Sequence, residues 1–117
     1  MIYHIATSAD WEQAMRDGQY TTSTIGKTLA EEGFIHASSP GQVLIVANAF
    51  YQNAGEDLVV LVIDPERVTA EIRLDYIPEA GATFPHIYGP LNADAVLAAW
   101  PLTAGPDGEF ATFTPWS

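Results

Sequence analysis

The run "LVVLVI", Leu58 to Ile63, constrains this chain most. It is continuously apolar and bounded by Asp64 and Pro65, which reads as a central strand covered on both faces. The rest of the chain has to supply that cover. "IYHIA" near the N-terminus is rich in strand formers. Thr7 and Ser8 then offer caps for a helix with Trp11, Ala14 and Met15 on one face and Gly18 at its end.

"QYTTST" suits an edge strand or extended loop, and Thr24 to Glu32 reads as a short helix stopping at Gly33. Phe34 to Ala37 is a short strand. After it, Ser39 as N-cap, Pro40 at the first helical position and Gln42 as capping-box partner predict a helix with Val43, Val46, Ala47 and Phe50 buried and Gly55 as its left-handed cap. Val68 to Leu74 reads as a strand, and Phe84 to Tyr88 is extended because Pro85 and Pro90 exclude helix. Asn92 to Trp100 is expected as a short apolar helix and Phe110 to Thr114 as a last strand. The elements mix without a βαβ rhythm, so the expected class is α+β, in one domain spanning residues 1–117.

Fifteen acidic residues stand against Arg16, Lys27, Arg67 and Arg73, and a net charge of -11 repels phosphate backbones and anionic lipid headgroups. Neither nucleic acid nor a membrane is the expected partner. The first residues lack the basic stretch and cleavage site of an export signal, and no cysteine is present, so the cytoplasm is the expected compartment.

The chemistry rests on three histidines, His4, His36 and His86. Two strand-to-helix corners repeat one pattern: His4 followed by Thr7, and His36 followed by Ser38 and Ser39, each running into a helix N-terminus that suits a polar or anionic ligand. Thr7 also reads as a plain helix cap. In "FPHIYGPL", Phe84, His86 and Tyr88 share one face of an extended chain; they could sandwich a flat heterocycle or form an aromatic cluster closing the sheet. Arg73 is the candidate anion ligand inside the core. The histidine spacings of 32 and 50 residues match no short zinc motif, so no metal is expected, and no Gly-x-Ser-x-Gly elbow supports a serine hydrolase.

"IYHIATSADWEQAMRDGQY", "GFIHASSPGQV", "LVVLVID" and "FPHIYGPL", in that order, resemble domain-of-unknown-function family 952 (DUF952). That family is similar in turn to small members of the ADP-ribosyltransferase superfamily, which implies an ADP-ribosylation-like fold: two packed, mixed sheets around a cleft that holds NAD. The order His4, Thr7, Trp11, Gly18 follows the superfamily's first motif with one extra residue between histidine and threonine. "GFIHAS" is similar to the His-x-His-x-Ser strand of RNA 2′-phosphotransferases, with Phe34 replacing the first histidine. By this resemblance His4 contacts a ribose of NAD, His36 stands in the cleft, and His86 and Tyr88 fall near the third motif. Many transferases keep a catalytic glutamate there, whereas here no acid occurs from Thr83 to Ala93, leaving Asp75 or Glu79 to serve.

Two functions are therefore expected. One is an enzyme acting on NAD or a related nucleotide-like small molecule, with His4 and Thr7 orienting a ribose, His36 exchanging a proton, and Ser38, Arg73 and Tyr88 among the ligand contacts. The other is a non-catalytic small-ligand-binding or interaction domain that keeps the cleft without the glutamate.

Overall fold

The computed structural model describes residues 1–52 and 54–110. In chain order the elements are β1 (Ile2–Thr7), α1 (Ser8–Asp17), β2 (Gln19–Tyr20), β3 (Thr22–Thr24), β4 (Lys27–Thr28), α2 (Leu29–Glu32), β5 (Ile35–His36) and α3 (Val43–Phe50). There follow β6 (Leu58–Ile63), a 3₁₀ turn at Pro65–Arg67, β7 (Glu71–Ile77), β8 (Ala82–Tyr88), β9 (Leu91–Asn92), a second 3₁₀ turn at Ala93–Ala95, and β10 (Val96–Leu102). This is a small α+β protein with several antiparallel sheets and three short helices.

β6 is the middle strand of a three-stranded sheet, between β1 and β10. Its side chains alternate between two separate cores, as a strand's period of two requires. Leu58, Val60 and Val62 join Tyr3, Ile5, Val43, Val46 and Ala47 on the α3 side. Leu61 and Ile63 join Ala14, Ile35, Ile87 and Leu91 on the other. The expected double cover of "LVVLVI" is therefore realised. Burying a side chain of this size stabilises by about 1.5–3 kcal/mol, so this strand is a principal source of cohesion.

A second three-stranded sheet has the order β5-β8-β7. Two backbone hydrogen bonds between Tyr3 and Ser38, of 2.8 and 2.7 Å, tie it to β1. Every described strand pairing is antiparallel, which corrects the expectation of mixed sheets. Parallel neighbours need a long crossover connection, and the helices here link strands of different sheets instead.

Other expectations also shift. Asn92 to Trp100 is not a helix: its apolar run forms β10, which saturates the second edge of β6, and Pro101 is tolerated because β10 is itself an edge. Thr24 to Glu32 divides into β3, β4 and α2, because Gly26 makes a left-handed turn at φ 77° and the true helix start is the Thr28–Glu31 capping box. α3 begins at Val43 rather than Pro40, although Gln42 Oε1 accepts the Ser39 N–H at 2.9 Å, the expected half of a capping box. That helix ends at Phe50, five residues before Gly55, and Phe50 itself is exposed. β7 lies three residues later than read, since the Val68 N–H closes the 3₁₀ turn on Pro65 O and the Thr69 N–H donates to Asn92 Oδ1 instead of a strand partner. In α1, Ala14 is buried and Met15 exposed. Apart from Phe110, the expected last strand lies outside the described residues. No described helix is long and apolar enough to cross a membrane.

Candidate functional site

β5 and β8 pair so that His36 lies directly opposite His86 and Ile35 opposite Ile87. The isoleucines point into the core, which turns both imidazoles to the opposite face. There His36 Nδ1 and His86 Nε2 are 3.0 Å apart. Asp75 on the neighbouring β7 opposes Phe84, two residues from His86, and diagonal neighbours of this kind are within side-chain reach. His86 Nδ1 donates to Asp75 Oδ2 at 2.8 Å, and Tyr88 Oη donates to the same oxygen at 2.5 Å. Together these bonds hold the Asp75 carboxyl below its usual range, Tyr88 contributing most and His86 next. The result is a chain of hydrogen bonds, Asp75 to His86 to His36, across three adjacent strands.

His86 is 2% exposed, with Phe34 stacked on its ring at 4.2 Å between centroids. His36 is partly exposed and lies 5.1 Å from the Phe84 ring. Its Nε2 has no protein partner among the described residues and borders a groove of about 680 Å³. That volume is in the range of small-molecule sites. The groove is walled mainly by apolar residues of α3 and the second sheet, including Val46, Ile77 and Phe84, with Lys27, Glu32 and Glu79 as its charged lining. Burial lowers the His36 pKa to about 4, and the neighbouring His86 and His4 rings add to the effect. At neutral pH its imidazole is uncharged.

His4 is 3% exposed and both its ring nitrogens are taken. Nδ1 donates to the His36 carbonyl at 2.5 Å, because a carbonyl can only accept, and Nε2 receives the Tyr20 hydroxyl at 2.9 Å. Burial lowers its pKa to about 4, opposed by the bond to His36 and the charge of Asp10. Burial also raises the Tyr20 hydroxyl's pKa well above normal. His4 thus braces the backbone of β5 from behind and does not line the groove.

The remaining expected contacts divide. Thr7 is buried and its Oγ1 accepts the Asp10 N–H at 3.1 Å, the helix-cap geometry, away from the groove. Ser38 is buried, bonded through its backbone to Tyr3 and outside the groove lining. Arg73, expected in the core, is exposed: its guanidinium pairs with Glu71 at 2.9 Å and lies 4.4 Å over the Tyr88 ring. A position on β7, an edge strand, turns it to solvent. The stack expected of Phe84, His86 and Tyr88 is filled by Phe34 and His36 from β5 and its approach. Asp75, expected only as a stand-in for the missing glutamate, instead anchors His86, while Tyr20, which holds His4, and Ser23, on the groove lining, were not singled out.

Among the described residues no group of three or more His, Cys, Asp or Glu side chains is disposed to hold a metal ion. A second, smaller hollow of about 410 Å³ near Ser8, Tyr51 and Asp57 has no imidazole on its lining.

Residues 5–99 match the family model described as a protein of unknown function, DUF952. The chain belongs to the DUF952 family. The structure of protein CC0527 from Caulobacter crescentus is similar throughout: its crystal structure has 29% identity, covers 94% of this chain and 92% of that one, and superposes with a TM-score of 0.80. A double mutant of CC0527 gives 0.79 over the same coverage, and its solution structure 0.67 over 92% and 89%. No curated protein matches the chain. In this DUF952 chain the matched span contains His36, His86 and Asp75, and His4 lies just before it.

Proposed function

We propose that the groove is an active site for acid–base chemistry on a small ring-bearing molecule, with His36 as the general base. The observation that carries this reading is the chain from Asp75 Oδ2 through His86 to His36, ending in an unpartnered Nε2 at an apolar groove. In the resting arrangement the Asp75 carboxylate accepts Nδ1–H of neutral His86, whose Nε2 accepts Nδ1–H of His36. Nε2 of His36 then carries a bare lone pair. When it takes a proton from the substrate, the Nδ1 proton passes to His86 Nε2, and the positive charge comes to rest beside Asp75. A ring that is a weak base by burial gains, through this relay, a route to hold the proton.

The most specific form of the proposal is ADP-ribosyl transfer from NAD, the chemistry implied by the motif likeness. His36 Nε2 would take the proton of an attacking water or acceptor hydroxyl as its oxygen bonds to the ribose carbon. The nicotinamide–ribose bond breaks ahead of and during this attack, its electron pair moving into the pyridinium ring, which leaves neutral. Glu79, on the groove lining and exposed, supports this form as the carboxylate for the positive charge that builds on the sugar, since Asp75 is committed to His86 and Tyr88. That same commitment favours a second reading, a binding domain that retains ligand without cleaving it.

Calorimetry with NAD, followed by assay of nicotinamide release in wild type, His36→Ala and Glu79→Gln, separates these readings. Binding with release that His36→Ala abolishes supports the transferase. Binding without release supports the receptor, and absence of binding rejects NAD for both.

A further inference from the structure

β7 is an edge strand, seven residues long and paired with β8 alone among the described residues. Long open edges are templates for a further strand, and proteins usually blunt them. The sheet built on β6 does so: β10 carries Pro101 and a bulge between Val96 and Ala98, and Tyr3 ties β1 to Ser38. β7 has no proline, glycine or lysine and an unbroken register with β8, yet its Leu74 and Tyr76 are 75% and 62% exposed. The pairing also fixes which of its main-chain groups face outward. The Ala37 N–H donates to Pro85 O, so Pro85 faces β5, while Phe84, His86 and Tyr88 face β7. Their partners Asp75, Arg73 and Glu71 are thereby bonded inward, which directs the N–H and C=O of Ile72, Leu74 and Tyr76 away from the sheet.

We propose that β7 pairs antiparallel with β7 of a second copy of this chain, about a two-fold axis at Leu74, joining two three-stranded sheets into one of six strands. Outward residues must oppose outward residues, and the charges then choose the register. Centred on Arg73, the pairing sets Arg73 against Arg73 and Glu71 against Asp75; centred on Asp75, it opposes two carboxylates. Centred on Ile72, it overlaps the strands over 71–73 alone. Centred on Leu74, it uses the whole strand, sets Arg73 against Asp75 of the second copy on both sides of the axis, and joins Ile72, Leu74 and Tyr76 of both copies into one apolar stripe. Asp75 is ready for that contact. Both of its hydrogen bonds go to Oδ2, its side chain is 32% exposed, and Oδ1 has no partner among the described residues. Arg73 leaves only an exposed pair with Glu71, which contributes little. Each copy thus supplies a guanidinium to the carboxylate that anchors the other's His86.

The test is sedimentation equilibrium at about 0.15 M salt, where a Debye length of about 8 Å screens the charge of -11 on each copy. Wild type is expected to show a reversible monomer–dimer equilibrium below millimolar concentration. Leu74→Lys places two ammonium groups at the axis and is expected to weaken association at least about tenfold, as is Arg73→Glu. Glu71→Gln is expected to leave it unchanged. Because Leu74 is exposed, Leu74→Lys should unfold at the wild-type temperature. Oxidation of single-cysteine variants gives a second readout in a chain with no cysteine of its own. Leu74→Cys is expected to form a disulfide-linked dimer, since directly opposed Cα atoms in a bonded pair lie about 5.5 Å apart, within disulfide reach. Tyr76→Cys is expected not to, because Tyr76 opposes Ile72 and not itself. A protein monomeric at every concentration, a dimer indifferent to Leu74→Lys, or a link through Tyr76→Cys in place of Leu74→Cys overturns the proposal. Loss of the dimer in Glu71→Gln moves the axis to Ile72 and overturns the register. None of these outcomes depends on what the groove binds.

Discussion

His36 and His86 occupy directly opposed positions on β5 and β8, and their rings meet at 3.0 Å with opposite ends left for different tasks. One end of the pair, His86 Nδ1, is anchored on Asp75; the other, His36 Nε2, is open to the groove. Of the six imidazole nitrogens, only His36 Nε2 lacks a partner among the described residues. Acylation by diethyl pyrocarbonate at neutral pH, mapped by mass spectrometry, is therefore expected to modify His36 first, with His4 and His86 slower by at least about tenfold because their nitrogens are bonded and buried. Equal rates at the three positions would contradict this assignment.

The brace behind the site should be structural. Tyr20→Phe strands His4 Nε2 as a buried acceptor with no donor, and a loss of about 1–3 kcal/mol is expected in chemical denaturation. His4→Ala removes the ring and opens a cavity as well, with an expected loss of about 2–5 kcal/mol. If either variant kept full stability while losing ligand binding, His4 would belong to the site itself.

Acid should destabilise the fold through the same rings. His4 and His36 each have a pKa near 4 in the folded chain, against 6.5 for the free side chain. Between these values the unfolded chain binds more protons than the folded one, so the stability they confer is complete above about pH 6.5 and is lost as pH falls toward 4. Each ring accounts for on the order of 3 kcal/mol across that window. Denaturant midpoints measured from pH 7.5 to 4 should fall most steeply there, and His36→Gln should make the slope shallower. A midpoint flat across this window would refute the assignment.

The groove's apolar rim should matter to ligands and not to folding. Ile45 and Phe50 of α3 line the groove yet are 68% and 77% exposed. Phe50→Ser is expected to change stability by no more than about 0.5 kcal/mol. It should also reduce the fluorescence enhancement of anilinonaphthalene sulfonate, which reports accessible apolar surface. Unchanged dye binding would place that surface elsewhere.

Much of this was legible in the sequence where local pattern decides structure. "LVVLVI", bounded by Asp64 and Pro65, is the doubly covered strand it read as, Thr7 starts α1, and Gly18 and Gly33 end their helices as read. The run from Val96 to Trp100 was not legible, because a short apolar segment fits either period until a partner edge is known, and the open edge of β6 settled it. The site shows the same division. That His36 and His86 would converge follows from strand pattern and shared placement before turns. That Asp75 would complete them depends on the β7–β8 register, which no single strand encodes. Ser23 gave no signal at all, since an unpaired hydroxyl exists only in the folded chain.

The relay itself is most directly tested by long-range proton–nitrogen correlation spectra of the three imidazoles at pH 7, in wild type and in Asp75→Asn. The account requires neutral His36 with its proton on Nδ1 and Nε2 bare, and it requires that pattern to change when Asp75 no longer fixes the hydrogen bonds of His86. A His36 that carries its proton on Nε2, or that titrates near 6.5 with no response to Asp75→Asn, would contradict it.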